Sequence, residues 1–182
     1  MQYAIFVERI FDDECFEKLK EFCANHIKGS FWQDMKTSYP PILHPENVRL
    51  FCLTPVNYEL VVAEQGYTGS KEQLSKIMAK RYRELSWMGC QIDLHLHLGL
   101  RLENINQEKM MKEAMNWMKK NDFNPEFVTY GWYIHNSESR KVEKKFKTKF
   151  FNDKHCYSYH DYEYDSIYSP MMILQNIRGM LR

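Results

Sequence analysis

Between residues 91 and 100 the sequence QIDLHLHLGL places Ile92, Leu94, Leu96, Leu98 and Leu100 at even positions and Gln91, Asp93, His95, His97 and Gly99 at odd ones. Successive side chains of a β-strand point to opposite faces, so this period of two specifies a strand with one apolar and one ionisable face. Strands of ordinary parallel sheets are covered by helices on both sides and read as continuous apolar runs, which this one does not. Two arrangements accommodate it. One is an antiparallel sheet with a wet face; the other is a barrel whose outer face packs on helices while the polar face looks into a functional lumen.

The flanking segments favour alternation of strands with helices. Tyr3, Ile5, Phe6, Val7 and Ile10 form a first strand, and Asp12 or Asp13 then caps a helix carrying Phe16, Leu19, Phe22 and Cys23 at helical spacing. Residues 27–47, with Gly29, Pro40, Pro41 and Pro45, form a loop, and residues 48–54 a second strand that Pro55 stops. Ser70 and Gln73 have the form of a capping box, followed by Leu74, Ile77, Met78, Tyr82, Leu85 and Met88 at helical period up to Gly89. After the central strand, Met110, Met111, Ala114, Met115 and Met118 mark a core-facing helix, residues 127–133 an aromatic strand, and residues 137–147 a weaker helix. Residues 155–164 read as a strand, and Pro170 opens a terminal helix. The fold class that follows is α/β, a distorted, incomplete parallel (β/α) barrel with helices outside, as one domain over residues 1–182.

Length and charge remove several function classes. The 182 residues carry a formal charge of +1, with 25 Lys+Arg against 24 Asp+Glu, so no uniform field proposes nucleic acid or an anionic membrane as partner. The basic series Arg140, Lys141, Lys144, Lys145, Lys147 and Lys149 reads as a solvated helix face. No apolar run approaches the roughly 20 residues of a membrane span. Glu8, Asp12 and Asp13 interrupt the N-terminal segment before a secretory core can form, and five cysteines without a CxxC pair fit reduced thiols, so the expected location is the cytoplasm. There is no GxGxxG, P-loop or GxSxG, which takes support from dinucleotide, NTP and acyl-enzyme chemistry.

What remains is metal chemistry. His95 and His97, two apart on one strand face, can converge on one divalent ion, with Asp93 a step below; imidazole nitrogen and carboxylate oxygen suit zinc and its relatives. Asp12 and Asp13, where the first strand meets its helix, offer a ligand and a general base, or simply a helix cap. The segment YSYHDYEYD over 157–165 adds His160, Asp161, Glu163 and Asp165 among tyrosines suited to a sugar or to hydrogen bonding, or forms an acidic edge strand. Gly131, Trp132 and His135 are candidates for a substrate wall, or for core packing.

In that order the pieces resemble the polysaccharide deacetylase superfamily, distorted α/β barrels that include chitooligosaccharide deacetylases. The likeness spans roughly residues 3–165. An Asp-Asp pair after the first strand is matched by Asp12 and Asp13, residues 89–97 are similar to the family's histidine strand, and NDFNPEFVTYGW, residues 121–132, to its helix end and substrate-groove strand. The histidines stand two apart rather than four, no glycine follows the acidic pair, and Tyr130, Gly131 and Trp132 replace an Arg/Pro motif. The resemblance implies a metal-dependent deacetylase with Asp12 as base, Asp13, His95 and His97 as ligands, a divalent metal, expected to be zinc, and an N-acyl or glycan-related small-molecule substrate. His160 or Asp161 is the further catalytic candidate. The alternatives are a non-catalytic binding domain of the same fold, and a hydrolase similar to amidohydrolases or phosphoesterases, whose metal strand DLHLHLG resembles. The sequence sets no oligomeric state, and a complete eight-unit barrel of about 250 residues does not fit the space.

Overall fold

A computed structural model describes residues 2–26, 48–99, 102, 105–151 and 156–160. The loop read over 27–47, the terminal helix read from Pro170, and Asp161 with Glu163 and Asp165 lie outside the described residues. Strand β1 (Gln2–Val7) leads to helix α1 (Asp13–His26), then β2 (Val48–Cys52), a 3-10 turn (Pro55–Asn57), α2 (Tyr58–Gln65) and α3 (Lys71–Trp87). β3 (Gln91–Leu96), α4 (Gln107–Lys120), β4 (Phe127–Tyr130), α5 (Ser137–Phe146), β5 (Lys149–Phe150) and β6 (Cys156–His160) follow.

Local chemistry sets the helices. Ser70 accepts from the Gln73 backbone N–H while the Gln73 side chain accepts from Ser70 N at 2.8 Å, a complete capping box that opens α3. From there Leu74, Met78, Tyr82 and Leu85 recur at helical spacing and are all fully buried, each contributing about 1.5–3 kcal/mol of transfer free energy. The Tyr82 hydroxyl donates to Leu53 O at 2.9 Å and ties this helix to the end of β2. In α4, Met111, Ala114 and Met118 are buried and Met110 and Met115 lie at the margin, so the methionines are core.

All strand pairings among the described residues are parallel, and the sheet order is β5-β4-β3-β2-β1-β6. This overturns the antiparallel arrangement with a wet face. The strands step in one direction from β1 to β5, and β6 then appears on the other side of β1. No β5–β6 pairing occurs among the described residues. Two differences from the sequence reading concern residues 127–150. The aromatic strand stops at Tyr130, where a 3-10 turn (Gly131–Tyr133) begins. Lys149 is not on the basic helix face: it starts the two-residue strand β5, too short to show a period.

Both faces of the sheet are buried, by different partners. On one, Ile5, Val7, Leu50, Cys52 and Ile92 pack with α1 and α3, while Leu94, Leu96 and Val128 pack with α4 and α5. On the other, Ala4, Phe6, Phe51 and Phe151 form a cluster of their own with Phe127 against it. The Phe51 and Phe151 rings are 4.7 Å apart. Phe51 is on β2 and Phe151 just beyond β5, three strands away, or about 14 Å at about 4.8 Å per strand in a flat sheet. The sheet is therefore curled, with helices outside and an aromatic plug inside.

Candidate metal centre

The inward positions of each strand form a column running through the aromatic plug to the carboxyl end. On β1 it is Ala4, Phe6 and then Glu8; on β3 Asp93, His95 and His97; on β4 Phe127, Thr129 and then Gly131. Each column leaves its strand at the edge where ligands of parallel α/β folds bind. His95 and His97 are 2% and 4% exposed, although they are imidazoles, because the outward leucines of β3 are committed to α4 and α5.

The Nε2 atoms of His95 and His97 are 2.9 Å apart, and Glu8 Oε1 is 3.2 Å from the first and 3.6 Å from the second. Among the described residues, these three form the one group of His, Cys, Asp or Glu whose ligand atoms lie mutually within 4.8 Å. One hydrogen on His95 Nε2 can be shared between His97 Nε2 and Glu8 Oε1, which leaves two acceptor atoms facing each other across the 3.6 Å edge. A cation at the centre would use a lone pair of all three. A tetrahedral ion with bonds of about 2.0–2.1 Å spaces its ligands about 3.3–3.4 Å apart, a value the three edges bracket. The donor set of two imidazoles and one carboxylate is that of an open zinc site.

Neighbours hold this triangle in place. Asn57, buried in the turn after β2, donates to His97 O at 2.7 Å and accepts from His97 N at 3.3 Å, replacing the strand neighbour that β3 lacks beyond its end. Phe6 packs edge-on against His95 at 5.3 Å. Gly131 takes the column position beside His97, and a Cβ there would overlap the imidazole at Cε1, Nδ1 and Cγ. Next to it Trp132 has φ 53° and ψ 18°, left-handed backbone that costs a non-glycine residue about 1–3 kcal/mol. Its indole meets the His97 ring edge-to-face at 4.8 Å. An open cleft of about 640 Å³ lies in front, lined by Glu8, Arg9, Glu64, Gln65, Gly66 and Trp132.

The other expected site residues are distributed differently. Asp12 accepts from Cys15 N at 2.9 Å and from Arg9 Nη2 at 3.2 Å, and the Cys15 backbone bond holds its carboxyl below the usual range. Asp13 pairs with Arg81 and is 89% exposed. Both serve the start of α1, and the carboxylate beside the histidines is Glu8 instead. Asp93 faces the same interior but at the amino end: it accepts from Arg49 at 2.7 Å and from Glu126 N and Phe127 N at 2.8 Å each. Burial pushes its carboxyl up despite those bonds. Arg49 and Lys149 both reach Glu126, so this end is closed by an ion-pair network. His160 is the register partner of Phe6 at the carboxyl end of β6; its side chain and Asp161 lie outside the described residues. His135 is absent from the site. It packs on Tyr130 and Phe150, and burial, with Arg140 adding to it, keeps its pKa below the ordinary value.

Glu8 escaped the sequence reading, as did Asn57. The alternation Ala4, Phe6, Glu8 carried past the end of β1 is the signal for the first; nothing local marks the second.

No protein-family model matches the chain, and no curated protein matches it by sequence. Among solved structures it is similar to a family 4 carbohydrate esterase from Streptomyces lividans in complex with acetate, with a TM-score of 0.60 and 9% identity, over 98% of this chain and 88% of that one. Among the described residues, no helix is long and apolar enough to cross a membrane. The parallel α/β architecture with helices outside is thus the fold this chain shares with that carbohydrate esterase.

Proposed function

We propose that the protein is a metal-dependent hydrolase of the deacetylase type, acting on an N-acyl or glycan-related substrate at the carboxyl end of the curled sheet. The observation that carries this reading is the Glu8, His95, His97 triangle, whose three ligand atoms lie at separations that suit a divalent ion. The likeness in fold to a carbohydrate esterase supports the substrate class. A bound zinc or related ion would polarise an acyl carbonyl and acidify a water. The chain's own part is to present three lone pairs at one point, to fix His97 through Asn57, and to pack His95 against Phe6. For the proton acceptor we assign His160, the last residue of β6, or Asp161, which follows it in the sequence, because β6 pairs with β1. Asp12 and Asp13 are occupied at α1, and Glu8 takes the ligand role that the resemblance implied for Asp13.

Metal analysis of purified protein tests this. One divalent ion per chain is expected, lost in Glu8→Gln and in His97→Ala, with acetate released from an N-acetylated glycan only by the metal-loaded protein. Wild-type protein that takes up no ion after exposure to zinc, or variants that retain it, refutes the assignment. A binding domain without turnover is the second reading, favoured by the commitment of both aspartates to α1. Metal uptake without acetate release selects it.

A further inference from the structure

Trp132 is an exposed aromatic in a strained position beside the candidate metal ligands. Asp122 and Lys147, the other non-glycine residues with positive φ among those described, follow the ends of α4 and α5, where left-handed residues are common. Trp132 has no such reason, standing in the turn between β4 and α5. It is also 47% exposed, whereas Trp117 is partly buried against the core cluster with its Nε1 donating to Ser75 at 2.7 Å. The turn is tied to the site through Gly131, which has no room for a Cβ beside His97, and the indole rests edge-to-face on the His97 ring at 4.8 Å. Around it the cleft is polar: Glu8, Arg9, Glu64 and Gln65 line it, and among the described residues Trp132 is the single aromatic surface there.

An aromatic face bordered by planar polar groups matches a pyranose, which has an apolar C–H face and a rim of hydroxyls. From this we infer that Trp132 is the sugar-stacking platform of the cleft, placing the ring of an uncharged N-acylated glycan against the indole so that its acyl group reaches the Glu8, His95, His97 end. The inference rests on the glycan reading above and adds the residue that selects the sugar. It makes Trp132 a sugar-binding residue that is not itself a metal ligand.

The test is titration calorimetry with a β-1,4-linked trisaccharide of N-acetylglucosamine on wild type, Trp132→Asn, Trp132→Phe and Trp87→Asn, with zinc content measured on each. Asn tolerates left-handed backbone, so Trp132→Asn keeps the turn, and circular dichroism verifies the fold. Trp132→Asn is expected to weaken binding about tenfold or more, equivalent to about 1.4 kcal/mol, and Trp132→Phe by no more than about threefold. Trp87→Asn, at a surface tryptophan outside the cleft, leaves affinity and zinc content unchanged, and each Trp132 variant is compared fully loaded with zinc. Trp132→Asn binding like wild type, or no binding by wild type at millimolar sugar, overturns the platform. Protein without zinc whose sugar binding still depends on Trp132 refutes the hydrolase reading and leaves the platform standing; zinc and acetate release with binding independent of Trp132 does the reverse.

Discussion

Replacing Gly131 with alanine adds one methyl group and reverses the sign of an expected effect. Gly131 does not adopt the left-handed backbone, so alanine can take its conformation. On backbone entropy alone the change should stabilise the protein by about 0.4–1 kcal/mol. The added Cβ, however, would overlap three atoms of the His97 ring, beyond the few tenths of an ångström that packing absorbs. The ring is hemmed in by Trp132 at 4.8 Å and His95 at 4.7 Å, and its backbone is clamped by Asn57, so relief requires His97 to rotate or the turn to shift. Overpacking of this kind costs about 1–3 kcal/mol. For a chain of this size that lowers the thermal midpoint by about 2–4 °C per kcal/mol, and displacing a ligand by its neighbour typically costs about 10–100-fold in metal affinity. The assay is thermal unfolding with and without zinc, together with competitive zinc titration. A double-mutant cycle sharpens it: in a His97→Ala background the methyl has space, and Gly131→Ala should become neutral or stabilising. Equal destabilisation in both backgrounds, or full stability with unchanged zinc affinity in the single variant, refutes the packing argument.

Three further outcomes follow from the same geometry. Asp13→Ala removes an exposed ion pair with Arg81, so stability should change by about 0–1 kcal/mol and zinc content not at all; a loss of zinc would show that the wrong carboxylate has been assigned. Asn57→Ala deletes both contacts to the His97 backbone, leaving buried groups unpaired at a cost of about 1–3 kcal/mol, and equilibrium unfolding should register it with weaker zinc binding. For His135, whose folded pKa lies below 6.5, the unfolded chain binds the proton more tightly, so its contribution is complete above pH 6.5 and is lost as pH falls through the folded value. The unfolding midpoint of wild type should therefore fall more between pH 7.5 and 5 than that of His135→Gln, and parallel pH profiles would exclude the effect.

Much of this was legible in local patterns, wherever a residue's role depends on its neighbours along the chain. The alternation through Asp93, His95 and His97 set two faces on β3, and Ser70 with Gln73 set the start of α3. Asp12 and Asp13 illustrate the opposite case. As a motif they promised chemistry, yet the backbone N–H groups opening α1 and the guanidinium of Arg81, 68 residues further on, take them instead. Likewise β5 pairs with β4 through two residues, too few for a period to appear in the sequence.

Sequence alone therefore determined an α/β chain with one polar-faced strand and a pair of histidines able to share an ion, because periodicity and caps act within a few residues. Tertiary structure decided which carboxylate joins them and which surface faces them. Glu8 and His95 are 87 residues apart in sequence, and Gly131 reaches His97 from the turn that follows β4. Only parallel register across β1, β2, β3 and β4, with the curl that brings the ends of those strands together, places them at one point. Register and curl are set by the summed packing of helices outside and phenylalanines inside, which no short stretch of the sequence encodes.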